Sequence, residues 1–140
     1  MITDREARFS LAQAVTTGTQ YSTNSYDTGV KASSIGDGEE LLLTVNVGTA
    51  FAGGTSLAVN LVDSANADLS SPTVLAGSGV IAEASLTAGV RLLKMRVPSN
   101  TQRYVGLQFV TVGTHSAGTI NANIVRDADS NRTYAFETGR

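Results

Sequence analysis

Three stretches of this chain alternate side chains with a period of two, and nothing helical stands between them. "SLAVNLVDS" (56–64) sets Leu57, Val59 and Leu61 on one side and Ala58, Asn60 and Val62 on the other. "RYVGLQFVTVG" (103–113) sets Val105, Leu107, Phe109 and Thr111 against Tyr104, Gly106, Gln108 and Val110. "TINANIVRD" (119–127) sets Ile120, Ala122 and Ile124 against Asn121, Asn123 and Val125. A period of two is the mark of a strand with one face on a core. Strands that follow one another without crossover helices cannot build a parallel sheet, which leaves antiparallel sandwiches and barrels.

The remaining runs extend the count. "ELLLTVNV" (40–47) is a strong strand, "SYDTGV" (25–30) a weak one and "TVLAG" (73–77) a short one, with a brief strand expected at Val80 to Ala82. In "VRLLKMRVP" (90–98) the parity slips between Leu92 and Leu93, the sign of a bulge or a twist. "SSIGDGEE", "TAFAGGT", "SNTQ" and "THSAG" read as loops or turns. Residues 4–15 fit a helical period only loosely, so they are expected to be extended. The expected architecture is all-β: an antiparallel, jelly-roll-like β-sandwich of about eight strands. An N-terminal arm (1–16) precedes the sandwich (17–127), and a polar C-terminal tail (128–140) follows it. A chain of 140 residues fits this as one domain. No internal repeat suggests a propeller or solenoid.

Chemistry finds little material. Cysteine is absent, which excludes disulfides and thiolate metal sites. The single histidine, His115, reads as a solvated residue of the "THSAG" turn, with no second His to share a metal and no G-x-S-x-G elbow to serve. Asp37, Glu39 and Glu40 crowd one loop rather than facing each other across a cleft. Asp127, Asp129 and Asn131 match the first three ligand positions of a calcium loop. The pattern then fails, with Arg132 where Gly is needed and Thr138 where the bidentate Glu belongs. "NRT" (131–133) is a glycosylation acceptor only in a secreted protein, and "MITDREARFS" lacks the apolar core of a signal peptide. No cofactor is expected and no enzymatic activity.

The charge balance points the same way. Charged residues are 16% and the net charge is −2, so no basic face for nucleic acid is implied. No apolar run approaches the roughly 20 residues of a membrane span. Arg91, Lys94 and Arg96 mark the solvent face of a strand, protect a strand edge against unwanted pairing, or form a rim that meets an acidic partner. Two classes of function remain, with an enzyme a distant third: a structural or assembly module that works by surface area, and a ligand-binding β-sandwich such as a carbohydrate-binding, lectin-like domain. The second needs aromatic residues on one concave face. Tyr104 and Phe109 are the candidates, and they fall on opposite faces of one strand.

Several stretches, taken in order, carry a family resemblance: "FSLAQAVT" (9–16), "YDTG" (26–29), "SSPTVLAGSGVIAEASLTAG" (70–89) and "RVPSNTQRYVGLQFVTVGTHSAGTINANIVRD" (96–127). Over most of its length the chain resembles the capsid cement, or decoration, proteins of tailed bacteriophages, of the Bordetella podovirus type. The resemblance implies a jelly roll without catalytic activity. It implies a small homo-oligomer on the outer surface of the virion head that bridges neighbouring copies of the major capsid protein. The rival, carbohydrate-binding class would sit on a phage tail or fibre as an adhesion module. A homodimer is the expected assembly and a homotrimer the alternative, with no nucleic acid or membrane partner. Phe9 and Leu11 in the arm, and Tyr134 and Phe136 in the tail, are the expected contacts with capsid or subunit, because apolar side chains outside strands need a surface to bury against. Pro98 and Arg103 are expected to form a structural corner, Pro98 stopping one strand and Arg103 opening the next.

Overall fold

The computed structural model describes residues 4–126 apart from 33, 36 and 39. Among the described residues nine strands follow one another: β1 (Arg8–Ala14), β2 (Thr19–Tyr21), β3 (Tyr26–Asp27), β4 (Leu42–Val47), β5 (Ala52–Ser64), β6 (Thr73–Ala82), β7 (Arg91–Arg96), β8 (Tyr104–Ala117) and β9 (Thr119–Val125). One 3-10 turn, Glu83–Ser85, leads out of β6. The first sheet has the order β1-β9-β4-β7. The second has the order β2-β8-β5-β6, with β3 also paired to β8. Every pairing is antiparallel. With β2 and β3 counted as one interrupted strand, the chain passes between the sheets in jelly-roll order.

The core lies between the two sheets and is made by the alternation seen in the sequence. Leu57, Val59 and Leu61 of β5 meet Val105, Leu107 and Phe109 of β8, and across the sandwich lie Leu43, Val45 and Val47 of β4 with Ile120, Ala122 and Ile124 of β9. All are buried. The parity slip in β7 is a real bulge, falling where Val45 pairs Leu93 but Asn46 pairs Arg91. It keeps Leu93 and Met95 against the core and turns Arg91 to the same outer face as Lys94 and Arg96.

Several expectations need correction. Residues 8–14 are not a free arm: β1 pairs along β9 and completes the first sheet, so the boundary drawn at residue 16 cuts through the sandwich. Phe9 is fully buried in the core. The short strands expected at 73–77 and 80–82 are one strand, β6, interrupted by irregularities in its pairing to β5. "TAFAGGT" and "THSAG" are not simple turns. β5 begins at Ala52 and β8 runs to Ala117, because the two ends pair with each other (Ala52 with Ala117). The reversal into β9 falls one residue later, at Gly118.

Candidate functional site

The corner comes first. Pro98 follows β7 and Arg103 precedes β8, but these strands belong to different sheets, so the segment is a crossing between sheets rather than a hairpin. Arg103 forks onto Asp27 of β3, Nε to Oδ1 at 2.8 Å and a terminal nitrogen to Oδ2 at 3.0 Å. Its guanidinium also lies 5.2 Å from the ring centre of Tyr104. Its carbonyl accepts from both the backbone N–H and the hydroxyl of Thr28. Beneath it, the buried Asp63 accepts from the backbone N–H of Gln102 at 2.8 Å. Sequence reading passed over Asp63, whose only signal is an acid at the end of a buried strand. The corner is a clamp between chain segments, and Arg103 points to no reactive group.

The Arg103 bond, then the backbone N–H of Gly29, holds the Asp27 carboxyl below its ordinary range. A lowered carboxyl stabilises the fold above that range and loses the contribution as pH falls through it. Both side chains are about half exposed, so the effect is small. Asp27→Asn is expected to lower Tm slightly at neutral pH, with the gap to wild type closing as pH falls through the carboxylate range. Paired melting curves across that range check it.

His115 is the larger correction. Instead of a solvated turn residue it is a buried residue of β8. Nδ1 lies 2.9 Å from Oε2 of Glu83, and Nε2 lies 3.3 Å from the Ser56 carbonyl. The Phe51 ring meets the imidazole edge-on at 5.0 Å. Glu83 also accepts from the backbone N–H groups of Gly53 and Gly54. A β-carbon on Gly54 would stand 2.3 Å from the imidazole, so glycine is required for this approach. A His–Glu pair has the atoms of a general base. Here the ring is closed off from solvent, and Nε2 faces a carbonyl that no substrate can replace. The pair fastens the 3-10 turn after β6 to the far end of β8.

The two sheets have outer faces of different character, and within them Thr44, Val125, Ser56, Val62 and Gly106 are buried. On the outer face of the first sheet, Lys94, Thr44, Asn123 and Arg8 form one cross-strand row. Arg96, Leu42 and Val125 form the next row on one side, and Arg91, Asn46 and Asn121 the row on the other. Four of the chain's 10 Lys and Arg residues thus share one face, and no acidic residue stands in these rows. The composition gave no reason to expect this clustering.

The outer face of the second sheet carries no charge along four successive rows, and its end row, Ser64, Tyr104 and Asp27, holds the Asp27–Arg103 pair. The four rows read Ala82, Ser56, Val112; then Val80, Ala58, Val110, Thr19; then Gly77, Asn60, Gln108, Tyr21; then Val74, Val62, Gly106. Val80 is 77% exposed, and Val74 and Val112 about half. At the last of the four Leu69 lies over the backbone of Gly106, leaving no room for a side chain there.

Of the expected contact residues, Leu11 stands exposed on the edge strand β1, at 64%, whereas Phe9 is core. Tyr134, Phe136, Asp127, Asp129 and Asn131 lie outside the described residues, as does the tail 128–140. Among the described residues no group of His, Cys, Asp or Glu is placed to hold a metal ion. Phe109 is buried and Tyr104 lies under Arg103, so neither offers an open ring for stacking on a sugar.

A family model described as Bbp16 matches residues 9–124, which spans the sandwich from β1 to β9. No curated protein matches the chain.

Proposed function

The chain belongs to the Bbp16 family, a Bordetella phage protein family, and from that premise we propose that it is a cement protein of the phage head. In this reading it sits on the outer capsid surface, bridges neighbouring copies of the major capsid protein and catalyses nothing. The observation that carries the reading is the pair of sheet faces, one cationic and one with exposed valines and no charge beyond the Asp27–Arg103 pair. A clamp across subunit seams works by contact area, and a standard stable interface covers about 1,600 Å² in total. A jelly roll offers flat faces of that kind on both sides. Many copies on one shell add avidity, so each contact need only be modest.

The outer face of the second sheet is the natural surface for a second copy, because its Asp27 is neutralised by Arg103 and its other rows carry no charge to repel their own image across a two-fold axis. A homodimer joined there leaves both cationic faces outward; a trimer is the alternative arrangement. Leu11, on the edge of the first sheet, remains a proposed capsid contact, as do Tyr134 and Phe136. Titrating the purified protein onto heads that lack it tests the reading. Occupancy is expected to saturate at a fixed ratio to the shell protein, and heads that take up none would remove the proposal.

A further inference from the structure

We infer that the outer face of the β1-β9-β4-β7 sheet is a docking surface for an acidic protein surface, which on the cement reading above is an acidic region of the shell protein. The inference rests on that reading for the partner's identity, but on the sheet itself for the partner's chemistry.

The bulge in β7 makes the face. Without it, strict alternation would put Arg91 on the core side, opposite Lys94 and Arg96. With it, all three are exposed on one side, and Leu92, Leu93 and Met95 pack toward the core. Lys94 and Arg96 are two residues apart, about 7 Å along the strand. That equals the same-face repeat of any extended partner, so acidic side chains at alternate positions of such a segment would meet them in register. Arg8 closes the row from the other edge of the sheet, three strand spacings or about 14 Å from Lys94. Between the cations lie the half-buried Asn46, Asn121 and Asn123, which can both donate to and accept from a protein surface.

Charge selects among the possible occupants. A second copy is disfavoured, since like cations would face each other. Nucleic acid is disfavoured on two grounds. The outward residues of these strands include no aromatic ring to stack on a base. The chain as a whole is acidic, with net charge −2, which opposes a polyanion beyond the patch. A protein with carboxylates spaced among neutral groups fits both the cations and the amides. Arg91, Lys94 and Arg96 each engage in an interaction of their own, and Asp37 and Arg96 line one hollow at the end of the stripe. The partner therefore adds to, or exchanges with, existing contacts, which makes its binding sensitive to salt.

The test uses the full chain and the triple variant Arg91→Glu, Lys94→Glu, Arg96→Glu, in two arms. The substituted side chains are exposed, and melting curves confirm that the variant is folded. In the first arm, occupancy of heads lacking the protein is titrated between about 50 mM and about 500 mM salt, a range that takes exposed charges from weakly to strongly screened. Wild type is expected to weaken as salt rises. The variant is expected to bind at least about tenfold more weakly at low salt, three reversed contacts of modest worth each summing to that factor. In the second arm, both proteins are passed over immobilised poly-L-glutamate and over duplex DNA. Retention of wild type on poly-glutamate, and its loss in the variant, supports the inference. If wild type fails to bind heads, the cement reading falls and the poly-glutamate arm still decides the chemistry. Equal binding of variant and wild type in both arms overturns the inference. So does retention of wild type on DNA but not on poly-glutamate, or an altered oligomeric mass of the variant.

Discussion

Replacing Phe9 by Ala is expected to destabilise the sandwich by about 3–5 kcal/mol, the range for emptying an aromatic site in a close-packed core. Small domains have total stabilities of about 5–15 kcal/mol, so the variant should melt far below wild type or fail to accumulate. The reason is placement. Phe9 sits on the inner side of β1, fully buried with Val15, Leu107, Phe109 and Ile124 in one apolar cluster. Leu11→Ala, two residues away and exposed, is the internal control, with melting within about 0.5 kcal/mol of wild type. Urea unfolding of both variants decides between a core role and a contact role for Phe9. A Phe9→Ala protein with unchanged stability and weakened head binding would restore the arm. By the same logic, removing residues 1–12 takes away most of β1, so it should unfold the protein rather than trim a tether.

Glu83→Ala is expected to cost about 2–4 kcal/mol, although Glu83 lies in a short turn that looks dispensable in sequence. Its carboxylate accepts from three donors: the backbone N–H groups of Gly53 and Gly54, and Nδ1 of His115. Removing it leaves the imidazole buried with one nitrogen unpartnered, inside a site that Phe51 and Gly54 hold closed. Glu83→Gln keeps one acceptor oxygen and should fall between Ala and wild type. Thermal unfolding of the three proteins checks the order. If Ala melted with wild type, the pair would be incidental to the fold.

These sites show where sequence reading succeeds and where it stops. The inward sets of β5, β8 and β9 were legible because alternation is a local property, and so was the bulge in β7, written in the adjacent Leu92 and Leu93. β1 was not legible. Its apolar residues fit no clean period, since irregular pairing to β9 shifts its register near Ser10 and again before Gln13. His115 was misread because Thr, Ser and Gly flank it as they would in a turn. What keeps the strand running through it is pairing with residues more than 50 positions earlier. Three cations of the outer face, Arg91, Lys94 and Arg96, were legible as one stripe, but the place of Arg8 beside them was hidden for a similar reason. Arg8 and Lys94 become neighbours across a sheet only once the order β1-β9-β4-β7 is known. Pro98 and Arg103 lie between β7 and β8, and which sheets that segment joins depends on the same topology.

The central claim is that the protein strengthens a phage head by binding across its surface. The direct measurement is the temperature at which packaged heads rupture and release DNA, followed by dye fluorescence, with and without saturating protein. A rupture temperature that rises with occupancy and levels off when the heads are fully decorated is the predicted result. Full decoration with no change in rupture temperature would contradict the account.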